Sequence, residues 1–301
     1  MAGEGDIVIA RARKDLDPGT VVIEEITGDE GRLSKDPKDN CVGIAALDVL
    51  SRIPDGVTCG VGLTLRKQMP LGSGLGSSAA SAAAAAEAVN SLFGHPLPRH
   101  DLVLAGLASE ATVSGYHADN IAPAVMGGFV LVRGMDPEVD LVPLKWPGGA
   151  LHLVLVNPKF EAPTRKMRAA MPDDVPRASW ITNAAAGGAL VAGILTGDAE
   201  MLGKALDSDV IVEAARGPLI PGFFAVKAAA KAAGAYGCTI SGAGPTCVAV
   251  VPDEATGEAV AGAMGEAFVA NGLEVNISLV TKLDTRGAYS SGDPEAPKGV
   301  M

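Results

Sequence analysis

The residues of this 301-residue chain with the clearest chemistry are 70–80, PLGSGLGSSAA. Gly72, Gly74 and Gly76 stand at every second position, and Ser77 and Ser78 follow. Glycine tolerates positive φ and lets backbone N–H groups come close to a ligand. Residues 79–86 are almost pure alanine, the strongest helix former, so a helix is expected to start near the serines. Upstream, Val61, Leu63 and Leu65 alternate with Thr64 and Arg66, which reads as a half-buried strand. Strand, glycine loop and helix N-terminus together make an anion cradle: free N–H donors, partial positive charge and close backbone approach. Phosphate is the ligand that suits it. A Walker loop is excluded, because no lysine lies between Lys67 and Lys145. A dinucleotide fingerprint is excluded too, because residue 77, where its third glycine belongs, is Ser77. The plain alternative is a serine-capped glycine turn ahead of a buried helix.

The rest of the chain must position this loop. Strands are expected at residues 6–12, apolar on both faces, and at 21–26, with Asp17-Pro18-Gly19 as a turn between them. Helices are expected at 41–52, from the serines to Gly94-His95-Pro96, and at 102–113 with Asp101 as cap. A polar knot of His117, Asp119 and Asn120 precedes Gly127-Gly128 and a strand at 129–133. Pro147-Gly148-Gly149 is the best boundary, giving an N-terminal domain over 1–147, a second over 148–288 and a flexible tail over 289–301. The second half reads as strands at 151–156, 238–240, 247–251 and 274–280, with helices at 162–170, 179–195, 200–206, up to 233 and 254–270. The alanine runs have the period of packed helices.

Composition bounds the function. Apolar residues make up 48% and aromatics 4% of the chain, so close helical packing is expected. A net charge of −11 argues against nucleic acid as a partner. No apolar run approaching the ~18 residues of a membrane span is read, so no membrane partner is expected. The four cysteines show no metal spacing and read as reduced, packed thiols. The four histidines form no HExxH motif, so zinc is not expected.

The string at 70–80 resembles the second signature of the small-molecule kinases named for galactose, homoserine, mevalonate and phosphomevalonate. Three further strings carry the likeness: SEATVSGYHADNIAPAVMGGFVLV, FEAPTRKMRAAMP and GCTISGAGPTCVAVV. It runs from Gly5 to about Ala288 and is greatest toward the family's homoserine-specific branch, the plant form in particular. The resemblance implies an α+β, two-domain fold: an N-terminal ribosomal-protein-S5-like domain with a left-handed βαβ unit, and a C-terminal ferredoxin-like domain, with the site between them. General topology rules favour the opposite hand. It implies ATP and Mg2+, L-homoserine as phosphoryl acceptor in threonine biosynthesis, and a homodimer. The compartment it implies is the plastid stroma for a plant or algal chain, and the cytoplasm otherwise. Another small alcohol such as mevalonate, or a non-catalytic nucleotide-binding relative, are the alternatives; HADN, APAVMGG and FEAPTRKMR favour homoserine.

Residue by residue, the likeness assigns the nucleotide to Pro70, Leu71, Gly72, Ser73, Gly74, Leu75, Gly76, Ser77, Ser78, Ala79 and Ala80, supported by Gly242 and Gly244. Asn40 falls on the adenine side. Ser78 and Glu110 are the implied Mg2+ ligands; an N-cap serine and a solvated carboxylate are their alternatives. Asp119, helped by Asn120, would orient the acceptor hydroxyl. Arg168 and Arg216 would clasp the substrate carboxylate, a task that suits a planar guanidinium, and Thr164 would line the same pocket. Family members open with a strand and an Asn-Leu-Gly-Pro-Gly-Phe-Asp-like loop ahead of the Gly5-Asp6 pair; the expectation is that the upstream reading frame encodes it.

Overall fold

The computed structural model describes residues 5–54, 56–113, 118–136 and 138–291. They form two compact units, and the chain passes between them more often than a single boundary at 147 allows. Residues up to Leu71, Gly76–Pro143 and residues from Asp284 onward make one unit; Gly72–Leu75 and Leu144–Leu283 make the other. The return at 284 has a physical cause. Gly128 donates to the Asp284 carbonyl at 2.7 Å, Ala288 to that of Ala124 at 2.9 Å, and Arg99 to that of Arg286 at 2.8 Å.

In the first unit β1 (Ile7–Arg13), β2 (Val21–Thr27) and β3 (Gly60–Arg66) form a sheet of order β1-β3-β2. The β1/β3 pair is antiparallel and β2/β3 parallel, and α1 (Cys41–Arg52) makes the crossover between β2 and β3. The half-buried reading of β3 is wrong: Gly60–Leu65 is buried throughout, because β3 is the central strand. Its second face carries small residues, and a Cβ on Gly62 would meet Glu24 Oε1 at 2.5 Å. β1 is expected to be apolar on both faces with Arg11 near its exposed end, and Arg11 is indeed exposed. The strand is an edge, half-buried to Ala10 and exposed at Arg11 and Ala12.

The alanine run becomes α2 (Ser77–Leu92), with Ala79, Ala82, Ala83, Ala85 and Ala86 buried. Side chains this short let α1, α3 (Arg99–Val113) and α4 (Ala118–Met126) pack closely around α2. Val42, Val49, Leu63, Leu65, Leu102 and Ile121 complete the core. Two expectations are corrected here. α3 starts at Arg99, with Asp101 inside its first turn rather than capping it. The polar knot leads into α4, a helix the reading omitted although Pro123 sits within it. His117 lies outside the described residues. β4 (Phe129–Gly134) and β5 (Asp140–Leu144) pair as a two-stranded sheet.

In the second unit β6 (His152–Pro158), β7 (Gly237–Ile240), β8 (Cys247–Val251) and β9 (Val275–Lys282) form a sheet of order β7-β8-β6-β9 with every pair antiparallel. This is the ferredoxin-like strand order expected from the family resemblance. α9 (Phe223–Ala232) and α10 (Glu254–Ala270) pack on the sheet through Phe223, Val226, Met264 and Phe268. Between β6 and α9 lie α5 (Thr164–Ala169), α6 (Arg177–Thr196), α7 (Ala199–Asp207) and α8 (Val212–Arg216).

α6 departs from the reading twice. It is not packed along its length: of its residues Gly193 and Ile194 are buried, while Trp180, Ile181 and Leu195 are exposed. By length and composition it also reaches what a membrane span requires, with a mean hydropathy of 1.4 over 18 residues. Its apolar residues are spread around the whole helix, so no single stripe directs it into this core.

The described cysteines are all free. Burial pushes the Cys41 thiol up to about 11 and the Cys238 thiol up to about 12, and it raises Cys247 well above its ordinary value. Because these pKa values are raised, thiolate is scarce until the pH approaches them. Native protein at pH 8 is therefore expected to be alkylated slowly at these three positions, and rapidly once denatured. Peptide mapping after iodoacetamide checks this; fast native labelling at Cys238 or Cys247 would refute it.

Candidate active site

The glycine loop is built from its backbone outward. Gly72, Gly74 and Gly76 have φ of 66°, 78° and 72°, as the glycine pattern requires. A Cβ on Gly74 would sit 2.5 Å from the Gly244 carbonyl oxygen and 2.6 Å from that of Ser241, so only glycine fits. Among the described residues the N–H groups of Gly72, Gly74, Gly76, Ser77 and Ser78 have no hydrogen-bond acceptor, and all five are free donors of the loop.

Gly72–Leu75 belongs to the second unit because that unit holds its carbonyls. Ser73 O accepts from Thr246 Oγ1 at 2.6 Å, Thr246 N at 3.2 Å and Asn157 Nδ2 at 3.4 Å. Gly74 O accepts from Ser241 Oγ at 2.9 Å. The third string therefore does work that Gly242 and Gly244 alone did not suggest. Ser241 and Thr246 are the hydrogen-bonding members, and the glycines supply the room.

The start of α2 is fixed within the first unit. Its N-cap is Gly76 in the left-handed region, without a side-chain cap, so neither serine caps the helix. Ser77 Oγ donates to Met69 O at 3.0 Å and is buried, a structural use of a residue expected at the nucleotide. Ser78 is half-buried, and its hydroxyl has no partner among the described residues. Beneath the turn lies an ion pair that the sequence did not advertise. Lys67 donates to Asp6, to Ser77 O at 2.8 Å and to Ser81 Oγ at 2.9 Å. Asp6 also accepts from Ser81 Oγ and from the amides of Gln68 and Met69, both at 2.9 Å. Both side chains are almost completely buried.

Glu110 on α3 is 2% exposed, so the solvated alternative is gone. Cys41 lies within the electrostatic field of Lys67, Glu110 and Asp6. Asp119 is exposed in the first turn of α4, and Asn120 is half-buried beside it. Asn40 has a different task from the adenine contact expected of it. It is buried as the N-cap of α1, its Oδ1 accepting from Val42 N at 3.1 Å and its Nδ2 donating to Ser34 O at 2.7 Å.

In the second unit Arg168 is exposed on α5, which begins at Thr164. Arg216 ends α8 and donates to Met167 O at 3.1 Å and Gly242 O at 3.3 Å, tying α5 to the loop that follows β7. α8 is anchored for this. Burial pushes the Asp209 carboxyl up, but Asn183 and the amides of Glu213, Ile211 and Val212 outweigh it and hold it below its ordinary value. Burial raises the Glu213 carboxyl, opposed by its partner Lys227.

A loop of unsatisfied amides, a free serine hydroxyl and a buried carboxylate suit a phosphorylated ligand and a hard cation. Among the described residues no cluster of three or more His, Cys, Asp or Glu could hold a metal. Mg2+ takes oxygen ligands and accepts one or two carboxylates alongside substrate phosphates, so Ser78 and Glu110 fit it by donor chemistry.

Sequence comparison agrees with this chemistry. The model of the GHMP kinases N terminal domain matches residues 40–128, and that of the GHMP kinases C terminal region matches 190–270. The chain belongs to the GHMP kinase family. It is 56% identical over 288 residues to the homoserine kinase of Arabidopsis thaliana, covering 95% of this chain and 77% of that protein. It is 41% identical over 269 residues to the homoserine kinase of Chlorobaculum tepidum, covering 88% and 82%. The crystal structure of homoserine kinase from Cytophaga hutchinsonii superposes with a TM-score of 0.83 at 35% identity, over 95% of this chain and 98% of that one. Mevalonate kinase of L. major in complex with R-mevalonate shares the fold alone: TM-score 0.67, 17% identity, 96% and 88% coverage.

The Lys67–Asp6 pair yields a prediction. Lys67→Met leaves a buried carboxylate without its cation, which costs about 3–5 kcal/mol. Lys67→Met combined with Asp6→Asn removes both charges and is expected to recover much of that loss. Urea unfolding of both variants measures it; a single variant as stable as the parent would show that the pair does not hold the turn.

Proposed function

We propose that this chain is a homoserine kinase, transferring the γ-phosphoryl group of ATP to the side-chain hydroxyl of L-homoserine on the route to threonine. The observation that carries the reading is the 56% identity to the homoserine kinase of Arabidopsis thaliana across 95% of the chain. The site chemistry supports it. Phosphoryl transfer needs positioning and charge stabilisation more than covalent chemistry. The loop's free amides, those of Gly74, Ser77 and Ser78 among them, bind phosphate oxygens, and the partial positive end of α2 adds to their field. Ser78 and Glu110 would hold Mg2+, and the ion would supply charge neutralisation at the transferring group. Asp119, with Asn120, orients the acceptor hydroxyl. Arg168 and Arg216 take the amino-acid carboxylate, and Thr164 stands at the head of the same helix as Arg168. Asn40, occupied as a cap, is left out. A homodimer is part of the same proposal, and sedimentation at one or two chain masses decides it.

The assay is ADP release with L-homoserine and R-mevalonate offered separately. Turnover of homoserine alone is expected; turnover of mevalonate alone would replace the reading. Ser78→Ala and Glu110→Gln are expected to raise the Mg2+ concentration needed for half-maximal rate, and unchanged Mg2+ dependence in both would dismiss the ligand assignment.

Arg168→Ala is the cleaner probe of carboxylate recognition, since Arg216 also braces backbone carbonyls. Losing one charge-assisted partner costs on the order of 1.5–3 kcal/mol, or roughly 10- to 150-fold in kcat/KM for homoserine. KM for ATP is expected to hold, and Arg168→Lys to recover only part of the loss. Steady-state kinetics with each substrate varied in turn gives the answer, and wild-type homoserine constants in the alanine variant would count against the assignment.

A further inference from the structure

Asn157 belongs to neither glycine string, yet it touches the loop. It is 3% exposed at the end of β6, 84 residues away from Ser73. An amide this deeply buried is costly unless its hydrogen bonds are made. Its Nδ2 reaches Ser73 O at 3.4 Å and Thr246 Oγ1 at 2.9 Å. Its Oδ1 accepts from Asn276 Nδ2 at 3.1 Å. Ser73 O only accepts, so the amide must face it with nitrogen, and Asn276 keeps it that way round. Asn276 is itself aimed by an irregularity. In the β6/β9 register Asn157 pairs with Ile277 and Pro158 with Val275, so Asn276 is the extra residue of a bulge. Bulges re-aim side chains, often beside functional sites.

The consequence follows from the planarity of the peptide. In a trans peptide the C=O and the following N–H point in opposite directions. Pinning Ser73 O toward Thr246 and Asn157 turns the Gly74 N–H the other way. Pinning Gly74 O toward Ser241 does the same for the Leu75 N–H, which here rests on Ser73 Oγ at 3.3 Å. Gly74 N–H has no acceptor among the described residues. We propose that Asn157, held by the bulged Asn276, is a positioning residue for nucleotide binding: it locks the Ser73–Gly74 peptide so that its N–H is presented to a phosphate oxygen. This rests on the kinase reading of the loop.

The test is calorimetric titration of the full chain with ATP, ADP and adenosine, beside steady-state kinetics. Asn157→Leu keeps the bulk and removes both donors. Asn276→Ala, on an exposed strand position, frees the amide to turn over at little risk to folding. Asn157→Leu is expected to raise Kd for ATP and ADP roughly five- to tenfold, the worth of about one hydrogen bond. Asn276→Ala is expected to give a smaller loss of the same kind. Asn157→Gln, which keeps the donor, is expected to recover part of it. Adenosine binding and KM for homoserine are expected to stay put in all three, because neither reads the phosphate cradle. Equal losses for ATP and adenosine, or a lowered melting temperature with unchanged ATP and ADP affinity in both variants, would overturn the proposal, since either marks a purely structural role. An unaltered chain that binds no ATP would instead overturn the kinase reading, and the cradle with it.

Discussion

A loop that offers its N–H groups to an anion must dispose of its carbonyls elsewhere. Every backbone group that leaves water needs a partner, and in a short glycine turn the two sets point in opposite directions. This constraint explains why Gly72–Leu75 is stitched to the second unit rather than to the strand and helix that flank it in sequence. Ser73 O and Gly74 O are absorbed by Thr246, Asn157 and Ser241. The same stitching explains Gly74 itself: the Gly244 and Ser241 carbonyls come so near that no Cβ fits. The glycine loop at 72–75 and the loop between β7 and β8 are therefore joined by hydrogen bonds and by close backbone approach.

The helix that follows has a different need. α2 must bring its N-terminus to a fixed place while sitting in the middle of its own unit. Alanine achieves this by letting α1, α3 and α4 approach closely, but it offers little shape to fix rotation or register. The specific contacts are polar ones: Ser77 to Met69, and Ser81 to the Lys67–Asp6 pair. A buried ion pair with every lone pair occupied is poor evidence of added stability. Its value here is geometric, because Lys67 reaches the Ser77 carbonyl and Asp6 reaches two amides directly after β3.

Much of the fold was legible because its punctuation was local. α1 and α10 run over the expected 41–52 and 254–270, and the structure adds Asn40 and Asp253 as their caps. The misreadings share a cause as well. Gly62 and Thr64 look like a polar face, but they are what a central strand needs when a neighbouring side chain lies close on that side. α4 has only nine residues and a proline within it, so little in the sequence marks it as a helix. α6 was taken for a packed helix because alanine period alone does not say whether anything lies opposite. In the site, the anion cradle was visible as spacing. Lys67, Asp6, Asn157 and Asn276 were not: Lys67 and Asp6 lie 61 residues apart and Asn157 and Asn276 119 apart, and a lone charge beside a strand or a lone amide within one matches a surface position equally well.

The arginines show how far residue type alone carries an assignment. A guanidinium suits a carboxylate, and equally suits a pair of backbone carbonyls. Arg216 already uses two of its donors on Met167 O and Gly242 O, whereas Arg168 projects from α5 into solvent. The two therefore cannot be equivalent. Arg216 supplies rigidity: it joins α5 to the loop that follows β7. α8 is held for that purpose by Asp209 at one end and Glu213–Lys227 along its side. Arg168 is exposed on α5, so it can be replaced without loosening the join that Arg216 makes.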